Sequence, residues 1–336
     1  MSFWERLGAD AEALAPRGFR LEIPAAAWLA VVLVAVAAVL AVARGPVAVG
    51  QTTLNGLIAA GYFSLGAVGL TLVFGTLRII NFAHGDLLTL GAYLTFGVNA
   101  LGAPFWPAAA VAVALTALVA LALDYLVWAR LRRARASTLQ AMLAAIGLAM
   151  LIRFGVQFFS GSQMRAVGQD VLSSVNLGPL HLGALQALVL VVGVVASTLL
   201  GLSLAFTRIG KQIRALADNM ALAEVAGVDT ARAIRLIWTV AGGLAALAGV
   251  LFAAAVGSVN PNFGFFILLS LFTAAVLGGI GNAYGALVGG LVIGLAEEWS
   301  TLLFNPRWKP VVGFAILIVM LLVLPRGIFG GARTRS

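Results

Sequence analysis

The strongest constraint on this chain is a repeated one. Runs of about 20 apolar residues recur along it, separated by short segments that carry most of the charge. A helix needs about 20 apolar residues to cross the roughly 30 Å of hydrocarbon in a bilayer. Ten stretches meet that length or approach it, near residues 25–44, 51–74, 83–101, 105–128, 138–160, 183–206, 233–257, 263–280, 284–303 and 310–324. Hydrophobic residues make up 62% of the 336 and charged ones 10%, against about half and about a quarter in a soluble domain. No water-soluble core can hide that much apolar surface, so lipid is the solvent for most of the chain. The predicted fold class is an all-α polytopic membrane protein with about ten transmembrane helices.

The first run ends in Ala41-Val42-Ala43, a pattern like a signal-peptidase site. The polar stretch before it is long and carries both signs of charge, and the apolar run exceeds the 7–15 residues of a signal core. It reads as an uncleaved span, with residues 1–24 as a polar tail.

The net charge is +9, from 21 basic and 12 acidic residues. The basic residues cluster in short loops rather than on a nucleic-acid face, and the positive-inside rule accounts for them. Arg130, Arg132, Arg133 and Arg135 follow the fourth run and place that loop in the cytoplasm. Counting from it, the 207–232 loop is also cytoplasmic, with Arg208, Lys211, Arg214 and Arg232. So are both tails, 1–24 with Arg17 and Arg20, and 326–336 with Arg326, Arg333 and Arg335. The 161–182 loop falls outside. The membrane domain therefore spans 25–325, with both termini in the cytoplasm. Without cysteine there are no disulfides, thiolate metal sites or Cys nucleophiles. No Gly-x-x-x-x-Gly-Lys-Ser/Thr phosphate loop occurs, so ATP is not bound by that route.

Two Gly-rich interruptions divide the chain into halves. One runs from Phe74-Gly75-Thr76 to Gly85, the other is Gly278-Gly279-Ile-Gly281-Asn282. Paired interruptions point to inverted repeats with a pathway between them. The long cytoplasmic loop is the most informative segment. From Gly210 to Ala226 it is rich in helix formers and free of Pro. Ile213, Leu216, Ala217, Met220 and Ala223 form one apolar face. The spacing predicts one amphipathic helix, stopped at Gly227, with Asp229 capping the next span. Such a helix either lies on the lipid surface or is gripped by a soluble partner.

The motif Ala215-Leu-Ala-Asp218 before Ala223-x-x-x-Gly227-Val-Asp229 resembles the coupling loop of ABC importer permeases. Leu54-Asn55-Gly56, Gly69-Leu-Thr-Leu-Val-Phe-Gly75 and Ile80-Asn81-Phe-Ala-His-Gly85 resemble the first third of branched-chain amino-acid permeases of the LivH type. Leu277-Gly-Gly-Ile-Gly-Asn-Ala-Tyr-Gly-Ala-Leu-Val-Gly-Gly290 is similar to their last third. The resemblance covers roughly residues 50–325. It implies a permease in the bacterial inner membrane, paired with a LivM-type permease or with itself. It further implies two cytoplasmic ATPase subunits that carry ATP and Mg, and an external binding protein that delivers solute. This chain itself binds no cofactor in that scheme and is not an enzyme. Gly210, Arg214, Ala217, Asp218, Ala223, Glu224, Gly227 and Asp229 are then the coupling residues. Asn55, Tyr62, Asn81, His84, Asp86, Asn260 and Gly279 are the candidates for pathway or gate.

The stretch from Asn81 to Tyr93 places an amide, an imidazole and a carboxylate within six residues. At the cytoplasmic end of spans two and three it reads as a capped, tight re-entry. Gly75 and Gly85 would supply the turns, Asn81 the cap and Asp86 a charge suited to the helix start. The alternative is an inner gate, or a contact for the ATPase. One His and one Asp are too few ligands for a metal. Glu297 and Glu298 are expected near the outer face, in reach of water. Asp124 is expected to pair within the basic cluster. Arg153 lies inside a span and must snorkel, pair internally or meet a substrate carboxylate. His181 is expected to be solvated. Gly242/Gly243, Gly278/Gly281 and Gly285/Gly289/Gly290 are read as close helix contacts. Asn260-Pro261-Asn262 is read as a turn at the outer mouth.

Two rival classes stay in view. An ion-coupled secondary transporter would need an ionisable group near mid-membrane, and the assigned spans offer no acidic residue at their centres. An intramembrane enzyme would need a catalytic constellation, which a chain with two His and no Cys does not supply.

Overall fold

The computed structural model describes residues 25–166, 174–324 and 327–329. The expected cytoplasmic tails, 1–24 and 330–336, and the Arg326 assignment lie outside the described residues. The chain divides into two units, residues 1–39 and 40–336. The described part of the first unit is the start of an apolar helix, α1, Ala25–Arg44.

The second unit is a helical bundle. Its long helices are α2 (Pro46–Leu77), α3 (Ala83–Ala100), α4 (Phe105–Leu123), α6 (Thr138–Ser160) and α7 (Ala184–Phe206). They continue with α10 (Thr230–Val256), α11 (Phe263–Gly278), α12 (Ala283–Ser300) and α13 (Lys309–Val323). With α1, each apolar run expected from the sequence has its helix. Among the described residues, seven helices are long and apolar enough to cross a membrane by length and composition. The structure is that of a multi-pass membrane protein. A π-helical turn, Asp124–Trp128, extends α4 into the short α5, Ala129–Arg133. There Asp124 accepts from Arg132 at 2.7 Å, the pairing expected for it.

The helix α2 is the axis. Every residue from Ile58 to Val73 is buried, so it is apolar all round rather than striped. Its main neighbours are α12 and α10. In lipid, helices gain little from burying apolar groups, and close backbone packing carries their association. Gly56, Ala60 and Ser64 of α2 meet Leu295, Gly294 and Gly290 of α12. A Cβ at Gly294 would come within 2.6 Å of the Ala60 nitrogen. Ser64 also donates to the carbonyl of Leu287 at 2.8 Å. Gly278, Gly285 and Gly289 lie in tight backbone contact where α11 meets α12, and Gly242 is closed against Ala120 of α4. Gly281, by contrast, takes φ +93° in a turn, and Gly243 has ordinary clearance.

One end of the bundle carries the ends of α2 and α7, the start of α6 and α10, and the α11–α12 turn. Two short helices, α8 (Arg208–Asp218) and α9 (Met220–Val225), form an elbow there. The opposite end carries two small antiparallel ladders. Strand β1 (Arg165–Ala166) pairs with β4 (Ser258–Val259), and β2 (Ser174–Leu177) with β3 (Leu180–Gly183). Gln51, near the start of α2, clasps the second ladder. Its amide donates to the carbonyl of His181 and accepts from the His181 nitrogen, both at 2.9 Å.

Candidate functional site: a buried helix junction and an exposed elbow

The residues singled out from the sequence fall into two separate places. The first is a junction inside the bundle. After Leu77 the chain turns at Arg78, a non-glycine residue at φ +56°, and runs back along α2 before α3 begins. His84 then donates from Nε2 to the carbonyl of Gly66 at 2.9 Å. A carbonyl only accepts, so the proton is on Nε2. Gly66 precedes the end of α2 by eleven residues, about 16 Å of helix. The start of α3 is therefore level with the interior of α2. This corrects the expectation that Asn81–Asp86 sits at the cytoplasmic end of the spans.

The roles expected of the glycines change accordingly. Gly75 and Gly85 are both inside helices, and Arg78 makes the turn. Gly75 packs against Gly281. Gly85 meets the backbone of Gly264, two residues into α11. The Gly264 nitrogen donates to Thr89 Oγ1 at 3.2 Å. Thus α3 and α11 start side by side within the bundle. One is reached from the elbow end through residues 78–82, the other from the ladder end through 257–262. Opposed re-entries of this kind are the geometry that inverted repeats produce. The second partner is not the Gly278–Asn282 interruption, however. That segment is a tight turn at the elbow end. The counterpart of 78–82 is the stretch holding Asn260-Pro261-Asn262, which the sequence marked only as an outer turn.

An asparagine side chain shapes the turn before each helix. The buried Asn81 accepts through Oδ1 from the Ala83 nitrogen at 3.1 Å. Asn260 accepts in the same way from the Asn262 nitrogen at 2.9 Å. Asp86, in the first turn of α3, is grasped by Arg153 of α6. Nε reaches Oδ1 and Nη2 reaches Oδ2, both at 2.9 Å. Arg153 lies fifteen residues into α6 and seven from its end, so the pair is about 10 Å inside the bundle. Its guanidinium also stacks over Phe265 at 4.7 Å. Of the options open to Arg153, the structure selects the internal pair. Sequence reasoning did not find Asp86 as its partner, nor Gly264 and Thr89 as junction residues. The only signal was the cost of an unpaired intramembrane Arg.

The remaining pathway candidates stand apart from the junction. Asn55 is half-buried near the ladder end and accepts from Gln51 at 3.2 Å. Tyr62 is buried edge-on to Phe63 and Phe252. Gly279 takes φ +97° in the elbow-end turn. Glu297 departs from its expected access to water. It is buried and accepts from Ser270 Oγ at 2.6 Å. Its neighbour Glu298 pairs with Lys309 at 2.5 Å.

The second place is the elbow. Thr207 caps α8 by accepting from the Gly210 nitrogen at 3.0 Å. Gly210 is pressed onto the backbone of Ser203 and Leu204, with no room for a side chain. Ile213, Leu216 and Ala223 are buried against the bundle, and Ala217 is half-buried. The single helix expected here is broken at Asn219. Asn219 is extended and caps α9, accepting from the Leu222 nitrogen at 3.0 Å. An Asn side chain offers the backbone this local alternative to a continuous helix. Gly227, at φ +86°, closes α9, with the Val228 nitrogen returning to the carbonyl of Ala223 at 3.0 Å. Asp229 caps α10 through the Arg232 nitrogen at 2.9 Å. Arg214 reaches back to the carbonyl of Ala205. The outward face carries Asp218 and Glu224. Leu222 and Val225 are exposed on α9 with Glu224, Val225 with 87% of its surface exposed.

Comparison with known proteins adds an independent view. Residues 52–321 match the family described as branched-chain amino acid transport system / permease component. The chain is 33% identical over 294 residues to the high-affinity branched-chain amino acid transport system permease protein LivH of Salmonella typhimurium. That alignment covers 83% of this chain and 95% of the relative. The permease protein BraD of Pseudomonas aeruginosa is 31% identical over the same shares. The ribose import permease protein RbsC of Escherichia coli is 27% identical over 80% of this chain and 81% of its own length.

Proposed function

This chain belongs to the branched-chain amino acid transport permease family, and from that premise we propose that it is the membrane-spanning subunit of an ATP-driven importer. Its solute is a branched-chain amino acid or a related small molecule such as urea or an amide. LivH and BraD are named for branched-chain amino acids, whereas the more distant RbsC is a ribose permease. The buried interior of this chain is mostly apolar, which suits an aliphatic side chain.

The observation that carries the reading is the elbow. A helix on the lipid surface would turn its apolar residues to the membrane and its charges to water. Here the buried face packs on the bundle, and two further apolar residues, Leu222 and Val225, are exposed beside Glu224. A surface of that kind suits a groove on a soluble protein, read by apolar anchors with charges around them. Two cytoplasmic ATPase subunits, which hold ATP and Mg, grip this elbow and its equivalent on a second permease, either LivM-type or another copy. An external binding protein delivers solute at the ladder end. The permease lies in the bacterial inner membrane, with its elbow and both termini in the cytoplasm. ATP moves the elbows, and the paired permeases alternate between two accesses. A ligand shifts such an equilibrium only by binding the two states differently.

The test is affinity purification of the tagged chain from its native membranes, with reconstitution beside whatever subunits come with it. Stoichiometric ATPase subunits should come with it. Charge reversal at Asp218 or Glu224, or Gly227→Val, should lower solute uptake while the permease stays in the membrane. A chain that purifies alone and still moves solute in liposomes would overturn the assignment.

A further inference from the structure

Residues 327–329 return to the bundle at the elbow end. Gly327 packs directly on Gly279, with no space for a Cβ, and takes φ +76°. The Ile328 nitrogen donates to the carbonyl of Leu277 at 2.8 Å. That carbonyl belongs to the last turn of α11, where helical partners run out. The amide of Asn282 donates through Nδ2 to the carbonyl of Phe329 at 3.2 Å. The same side chain caps α12, accepting through Oδ1 from the Gly285 nitrogen at 3.1 Å. One side chain therefore joins the start of α12 to the returning segment, which in turn joins the end of α11.

The helix α11 is held at both ends by specific contacts. Its start is fixed at the junction by Gly85 and Thr89, and its end by the strap of residues 327–329. The strap is also connected to the elbow. Tyr284, two residues after Asn282, donates to the carbonyl of Gly201 on α7 at 3.3 Å. The last turn of α7, at Ser203 and Leu204, is the surface on which Gly210 of the elbow rests.

We propose that Asn282 is a positioning residue for transport, locking residues 327–329 onto the α11–α12 turn so that motion of the elbow reaches α11. This rests on the elbow being the ATPase grip. With the strap in place, α7, the start of α12 and the end of α11 move together. With the strap released, α11 loses its hold at the elbow end, and hydrolysis proceeds without the matching change in the bundle. Contiguity alone does not establish coupling, so the experiment must separate coupling from folding.

Asn282→Asp makes that separation. Aspartate still accepts from the Gly285 nitrogen and caps α12, but it has no hydrogen to give Phe329. Ile328→Pro removes the other hydrogen bond by deleting its donor. Two measurements follow. In the purified permease alone, the Ile328 amide should exchange with solvent about tenfold more slowly than an open chain end, and Asn282→Asp should remove that protection. In the reconstituted transporter, both variants should bind ATPase as the native chain does. Each should hydrolyse about threefold more ATP per solute moved, and the double variant no more than either single one. A fast-exchanging Ile328 amide in the native permease would overturn the strap itself. An unchanged hydrolysis ratio in variants that have lost the protection would overturn its role in coupling. A native permease that recruits no ATPase would instead overturn the functional reading, and the exchange measurement would still decide whether the strap exists.

Discussion

Asp86 and Asp229 both stand at the beginning of a helix, where a carboxylate is favoured by the backbone dipoles. Their surroundings make them different objects. Asp86 is buried and bound by two hydrogen bonds to Arg153. Asp229 is exposed and caps α10 through one backbone nitrogen. The same contrast runs through both regions. At the junction, Gly85 meets Gly264 where nothing else fits, and Asn81 satisfies a donor that no water can reach. In the elbow, Asn219 and Gly227 shape the chain in the open, where water can substitute for a lost partner. The junction should therefore respond to substitution by failing to fold. The elbow should respond by folding and losing a function that depends on its shape.

The largest expected effect is at Gly85. A Cβ there would land on the carbonyl of Gly264 and within 2.9 Å of the Leu268 Cβ. A backbone carbonyl cannot step aside as a side-chain tip can. Gly85→Leu should force α3 and α11 apart and cost upward of about 4 kcal/mol. In detergent the variant should elute as aggregate, or unfold far below the native protein when followed by tryptophan fluorescence. A monodisperse Gly85→Leu protein of native stability would break the comparison at its strongest point.

The ion pair gives the next effect. Asp86→Ala leaves the Arg153 guanidinium inside the bundle without its counter-charge, and breaking a buried pair in this way costs about 3–5 kcal/mol. Replacing both partners, Asp86→Leu with Arg153→Met, removes the charge and its compensation together. The double variant should recover most of the lost stability. Equal losses in the single and double variants would mean that the hydrogen bonds of the pair hold the junction in a way that apolar packing does not replace.

The same contrast explains what could be read in advance. The helices were legible because an apolar run of about 20 residues leaves a chain few choices in lipid. The cap at Asp229 and the stop at Gly227 were legible because caps and left-handed glycines act on their immediate neighbours. The depth of His84 was not. Ile79, Ile80 and Phe82 have the composition of the end of a span, and nothing local says that the chain doubles back along α2. In the sequence Gly85 reads as a turn, because a glycine that frees the backbone and one that admits a neighbouring backbone are the same letter. The partner of Arg153 lies 67 positions away, beyond the reach of any periodicity. The break at Asn219 was available in principle. Asn is a poor residue inside a helix and a good one at its start, and the apolar face on either side of it masked that signal.

Asn219 also gives the smallest effect and the sharpest test of the contrast. Asn219→Ala removes the acceptor for the Leu222 nitrogen and makes a continuous helix through α8 and α9 more favourable. Losing an exposed cap costs about 1 kcal/mol, which should move the unfolding midpoint of a chain this long by about 2 °C or less. The Leu222 amide should exchange faster, and the amides of α2 should not change. If the elbow is read by its shape, uptake should fall well beyond what that small loss of stability explains, because Leu222 and Val225 would be rotated away from their present directions. Asn219→Asp keeps the cap and should keep the uptake. Full uptake in Asn219→Ala, alongside faster exchange at Leu222, would show that the break between α8 and α9 is incidental. The elbow would then be a surface recognised by its residues alone, and the contrast with the junction would narrow to one of burial.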